Sequence, residues 1–152
     1  MDNTTTRLCE FARDLEFRHL HDALPAAKAR ILSTLGVALA AFDMEPVRIV
    51  RKLVPQIAAG PRAQVFGSLQ QTTPDMAAFV NSAMVRCLDM SDSYVMEAVS
   101  HPADAFPAVL AVAEAENCSG QDLLLAMAIA YEVQCRFVEV VPYNHHGWDQ
   151  TP

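Results

Sequence analysis

Apolar residues recur at three- and four-residue spacing along most of this chain, in segments that each open on a helix-start signal. That pattern leaves little room for a fold built on sheets. Thr4–Thr6 stand where they would cap a first helix, with Leu8, Phe11, Ala12 and Leu15 as its stripe. Asp22 and Pro25 open a second over Ala26–Ala41, carrying Ile31, Leu32, Leu35, Ala38 and Leu39 on one face; Gly36 inside it predicts a close helix–helix approach. Glu45-Pro46 starts a third, with Ile49, Val50, Leu53 and Ile57, ending at Gly60-Pro61. Thr73-Pro74-Asp75 is a capping hydroxyl, a first-turn proline and an acid, and opens a helix through Leu88. A further helix runs from about Asp104 to Glu116, with Pro102 and Pro107 both eligible for its first turn. Ser119-Gly120-Gln121-Asp122 resembles a capping box for the last helix, Gln121 to about Val140. Only Ala63–Gly67 reads as strand-like. The expected architecture is all-α, a single helical domain over residues 1–152.

Length and charge narrow the function. A chain of 152 residues can bury a real core without disulfide staples. Its formal charge of −7 argues against nucleic acid and against a polybasic membrane patch. Cys9, Cys87, Cys118 and Cys135 are widely spread, without the paired spacing of a zinc site, and fit small buried residues of a reducing compartment. Met1–Glu10 has no apolar core of a signal peptide, and the most apolar run, Leu123–Tyr131, is too short to span a bilayer. The expectation is a cytoplasmic protein.

The polar residues worth weighing lie mid-chain, in Asp89-Met90-Ser91-Asp92-Ser93-Tyr94 and Ser100-His101-Pro102-Ala103-Asp104. If the preceding helix continues, Asp89 and Ser93 share a face, with Asp92 beside it. The bland alternative is a helix end dissolving into turn residues. His101 precedes proline and stands at a helix start, where anions are stabilised and an imidazolium is disfavoured. A neutral histidine near an aspartate is a usable proton-transfer pair. His145, His146 and Asp149 are poor metal ligands, because adjacent histidines diverge and no fourth ligand is spaced for a site. No metal is expected.

The run Ala77-Ala78-Phe79-Val80-Asn81, then Arg86-Cys87-Leu88-Asp89-Met90-Ser91-Asp92-Ser93-Tyr94, then His101-Pro102-Ala103-Asp104 resembles the MmgE/PrpD family. The family pattern is close to AAFxN, LDFxDTY and HPSD. Ala113-Glu114 and Tyr131-Glu132-Val133-Gln134 also match it, as do the opening helices. The family includes 2-methylcitrate dehydratase, cis-aconitate decarboxylase and iminodisuccinate epimerase.

The resemblance implies a mostly helical domain and chemistry on small di- or tricarboxylates without a cofactor or metal. Asp89 falls on the family's active-site aspartate, His101 on its histidine, and Ser93 on its hydroxyl, usually threonine. Asp149, in Gly147-Trp148-Asp149, falls where many members place a histidine, and with Ser93 would bind substrate. A homodimer is expected from the same resemblance. Met90, Ser93 and Ala103 replace the usual Phe, Thr and Ser. Family members are about three times longer, so the resemblance implies that the helical domain here is incomplete, with its remainder, a lid-like second domain and further active-site residues, including lysines, in segments with no counterpart here. Only Lys28 and Lys52 occur in this chain. The expectation is therefore the N-terminal portion of a lyase, feebly active or inactive by itself. The competing expectation is a non-catalytic helical module for dimerisation or partner binding.

Overall fold

Four of the helices begin with a proline in their first turn, where its missing N–H costs nothing and its fixed φ suits the helix. The computed structural model describes residues 2–56 and 59–147. Among these, the chain forms α1 (Asn3–Asp14), α2 (Leu24–Ala40), α3 (Glu45–Leu53), α4 (Pro74–Arg86), α5 (Phe106–Ala115) and α6 (Gly120–Val140). Short 3-10 turns occupy Phe17–Leu20, Pro102–Ala105 and Tyr143–His146. Two small antiparallel hairpins complete the order: β1 (Ala63–Gln64) with β2 (Gln71–Thr72), and β3 (Tyr94–Val95) with β4 (Val99–Ser100). Ala63 lies opposite Thr72, and Tyr94 opposite Ser100. The fold is mostly helical, as the periodicity predicts.

Local chemistry sets the boundaries. Asp2, rather than the threonines, caps α1 by accepting from the Thr5 N–H at 2.9 Å. Ser119 and Asp122 form a reciprocal capping box at α6. The third helix ends earlier than expected, at Leu53, because Pro55 pushes Val54 to extended backbone (φ −93°, ψ 119°). Ile57, expected on its stripe, lies outside the described residues. Both candidate prolines near residue 104 are used: Pro102 opens the 3-10 turn and Pro107 the first turn of α5.

The close approach expected at Gly36 is absent: a Cβ there would meet nothing within 4 Å. Gly67 is the glycine that needs its identity. Its φ is +69°, and a Cβ would stand 2.9 Å from Phe42 and 3.1 Å from Leu39.

Helix α4 is central, packing on α5, α2 and α3, while α6 packs on α5 and α2. Ala38, Val47, Val65, Val80, Met84 and Phe106 are buried in one cluster. Phe66 and Phe106 stack with ring centroids 6.0 Å apart. Asn81 of α4 is buried and holds the first hairpin: its Oδ1 accepts from the Phe66 N–H and its Nδ2 donates to the Gln64 carbonyl, both at 2.9 Å. No single helix among the described residues is long and apolar enough to cross a membrane.

Candidate active site

The 3-10 turn that His101 precedes is packed against α4, α5, α6 and α2 at once. The site is built from the loop that follows α4 and from this turn. Helix α4 stops at Arg86, and Asp89 has φ +50°. A left-handed residue ends any continuing helix. Asp89 and Ser93 therefore share no helical face, and the loop instead folds back toward α6.

Asp92 is the anchor of that loop. Its Oδ2 accepts from the Tyr131 hydroxyl of α6 at 2.7 Å, and its Oδ1 from the Ala103 N–H at 2.9 Å. Burial and the Asp92 carboxylate both push the Tyr131 hydroxyl far above its ordinary range, so it donates and stays protonated. On the other side of the hairpin, Gln134 donates to the buried Ser100 hydroxyl. Tyr94 donates to Glu139 at 2.6 Å. Three rungs thus fix the loop and hairpin to α6.

The Asp92 carbonyl then sets the state of His101. His101 Nδ1 lies 2.7 Å from that oxygen and 3.3 Å from Ser93 Oγ. A carbonyl only accepts, so Nδ1 carries the hydrogen, and in the uncharged ring Nε2 holds the basic lone pair. The ring is held through one nitrogen and offers the other for proton transfer. Ser93 is exposed beside it.

Charge gathers around Asp104 and Arg86. The Arg86 guanidinium reaches Asp89 at 3.0 Å, Asp104 at 3.6 Å and the Ser91 hydroxyl at 2.8 Å. Asp89 keeps 76% of its side chain exposed, Asp104 only 35%. Burial pushes the Asp104 carboxyl up, against the pull of Arg86 and His101, and Oδ1 of Asp104 is buried with no hydrogen-bond partner. The expected pair of Asp89 and His101 is thus arranged differently from a direct dyad: Asp89 pairs with Arg86, and His101 is held by Asp92. Both flank Asp104, whose charge each of them influences.

Asp104, Tyr131 and Gln134 were not among the expected site residues, although each lies in a segment that carries the family resemblance. Asp149 lies outside the described residues. Among those described, no group of three or more His, Cys, Asp and Glu side chains is placed to hold a metal ion.

The MmgE/PrpD N-terminal domain family model matches residues 6–152. The chain is 34% identical over 132 residues to 2-methylcitrate dehydratase of Salmonella typhi, across 80% of this chain and 27% of that protein. It is 31% identical over 131 residues to cis-aconitate decarboxylase of Homo sapiens, across 82% of this chain and 27% of that protein. With the probable 2-methylcitrate dehydratase of Saccharomyces cerevisiae it shares 28% over 143 residues, 85% of this chain and 28% of that protein. The chain thus spans less than a third of the length of these relatives. A helical domain with this loop, this turn and this match belongs to the MmgE/PrpD family.

Proposed function

We propose that this chain carries the N-terminal share of a lyase site for small di- or tricarboxylates, with His101 as its proton-transfer group. The observation that carries the reading is the His101 ring, tied through Nδ1 to the Asp92 carbonyl and flanked by Ser93 and by Asp104 with Arg86. In a dehydration, a base removes the proton alpha to a carboxylate, its electron pair forms the carbon–carbon double bond, and the hydroxyl leaves with a proton from an acid. His101 Nε2 fits one of these roles, and Asp89 at the loop's exposed edge is assigned with it to the reacting centre. Ser93 orients substrate, and Asp149 is assigned to the same binding role. Arg86 supplies positive charge for a carboxylate.

General acid–base catalysis contributes about 10²- to 10⁴-fold. The remainder of a lyase's rate comes from positioning, charge and water exclusion. Relatives more than three times as long have further chain to supply these. The 152-residue chain is therefore assigned weak turnover at most. The same proposal has residues 1–152 form one helical domain, working in the cytoplasm as a homodimer without a cofactor.

Carboxylate-dependent thermal stabilisation tests the binding half of this reading. Citrate-class acids should raise Tm in the wild-type chain and raise it less in Ser93→Ala and Arg86→Gln. Equal shifts in all three would overturn the assignment.

A second reading, a non-catalytic dimerisation or partner module, is favoured by one observation. Met90, Val95, Met96 and Val99 around the second hairpin, with Phe137 and Val140 of α6, are exposed apolar residues. His101→Ala separates the two: it removes proton transfer under the first reading and leaves association unchanged under the second.

A further inference from the structure

We propose a second anion site, formed by Arg48, Arg51 and Lys52 of α3 with Gln70 of the first hairpin's turn, that takes a small multiply charged oxyanion of the phosphate or polycarboxylate class. These four residues line an open depression of about 250 Å³. That volume lies just below the range of pockets for drug-sized ligands, and suits an inorganic anion or a small acid. None of the four belongs to the His101 cluster.

The spacing i, i+3, i+4 puts the three cations on one side of α3. In a chain of net charge −7, each would be expected to find an acid, yet among the described residues none of the three forms an ion pair with one. The ordinary account of cations in a last helical turn is that they complement the helix's C-terminal carbonyls. One of those acceptors is already satisfied: Gln70 Nε2 donates to the carbonyl of Val54, the C-cap, at 2.7 Å. Arg51 turns the other way, donating to the Phe42 carbonyl at 3.2 Å.

Arg51 is also preorganised. Its guanidinium carbon lies 3.5 Å from the centroid of the Phe42 ring, so the planar group is stacked and its orientation fixed. Its Nε is buried with no hydrogen-bond partner. The stack on Phe42 and the bond to its carbonyl thus hold the guanidinium in one place at the edge of the depression. Arg48 and Lys52 are exposed and flank it. The stacked arginine gives direction, and the two exposed cations give charge.

Isothermal titration of the 152-residue chain at low ionic strength tests this, with inorganic pyrophosphate in one arm and citrate in the other. Saturable binding is expected in at least one arm, 1:1 with pyrophosphate and, with citrate, as a component that persists in Arg86→Gln; it should weaken at least about tenfold in the doubly substituted Arg48→Gln, Lys52→Gln chain. It should also weaken with added salt. Both substituted positions are exposed, so circular dichroism should show an unchanged fold. His101→Ala should leave the affinity intact, which separates this site from the proposed lyase site. Tighter pyrophosphate identifies a phosphate ligand, and tighter citrate a polycarboxylate. No saturable binding in either arm, unchanged affinity in the double variant, or loss of binding in His101→Ala would overturn the proposal.

Discussion

Replacing Tyr131 with Phe removes one hydroxyl and nothing else, and so isolates the bond that ties the His101 loop to α6. That hydroxyl donates to Asp92 at 2.7 Å from a half-buried position. A hydrogen bond to a charged acceptor contributes about 1.5–3 kcal/mol. Water can partly replace the lost donor at a half-buried carboxylate, so the low end applies, about 1.5 kcal/mol. For a chain of this size that is a fall in Tm of about 3–6 °C. Asp92→Ala loses this bond and the one to the Ala103 N–H, and should cost about 3 kcal/mol. Urea unfolding of wild type, both single variants and the double variant closes a cycle. The coupling should be about 1–2 kcal/mol, because the two side chains share one bond. Additivity within about 0.3 kcal/mol would refute the claim that Asp92 anchors the loop through Tyr131.

Three further outcomes follow from the same geometry. Asn81→Leu leaves the buried Phe66 N–H without its acceptor and frees the carbonyl of exposed Gln64, and urea unfolding should show a loss of about 1–3 kcal/mol. Asp104→Asn should stabilise the chain near neutral pH. The folded Asp104 carboxyl sits above its ordinary value, so the native state binds its proton more tightly, and its ionisation costs stability as pH rises through the folded value. The gain in Tm should be smallest in acid, below the ordinary aspartate range, and reach its full size above the raised one; a gain that does not grow with pH contradicts this. Cys9 and Cys118 are exposed, against the expectation of four buried thiols, and labelling should modify them before Cys135, whose thiol is pushed up by burial; mass spectrometry of timed digests would read the order.

The helices were legible because their signals are local. Proline in a first turn, a Ser-x-x-Asp box and a 3.6-residue stripe each act within a few residues. The endings were harder. The third helix stops at Leu53 because Pro55 constrains Val54, a signal present in the sequence but overshadowed by Gly60-Pro61. Gly36 and Gly67 show the opposite limit. Whether a glycine admits a neighbour depends on chain far away in sequence, here Phe42 and Leu39 beside Gly67.

At the candidate site, the sequence brought forward segments that the fold does place side by side, but with a different geometry within them. Asp89 and Ser93 read as one helical face, yet the positive φ of Asp89 breaks the helix before that spacing has meaning. The role of Asp92 rests on Tyr131, a contact across 39 residues that no local pattern encodes. Asp104 was visible as part of a motif, but its half-burial next to Arg86 is a property of packing.

Solvent deuterium exchange at the carbon alpha to a carboxylate measures the proposed proton transfer without requiring a complete elimination. Citrate-class acids would be incubated with the 152-residue chain in D₂O and followed by NMR. The account predicts incorporation above the buffer rate with wild type, falling at least about tenfold in His101→Ala, as expected for loss of a general acid–base group. Exchange no faster than buffer in wild type, or equal in the variant, would contradict it.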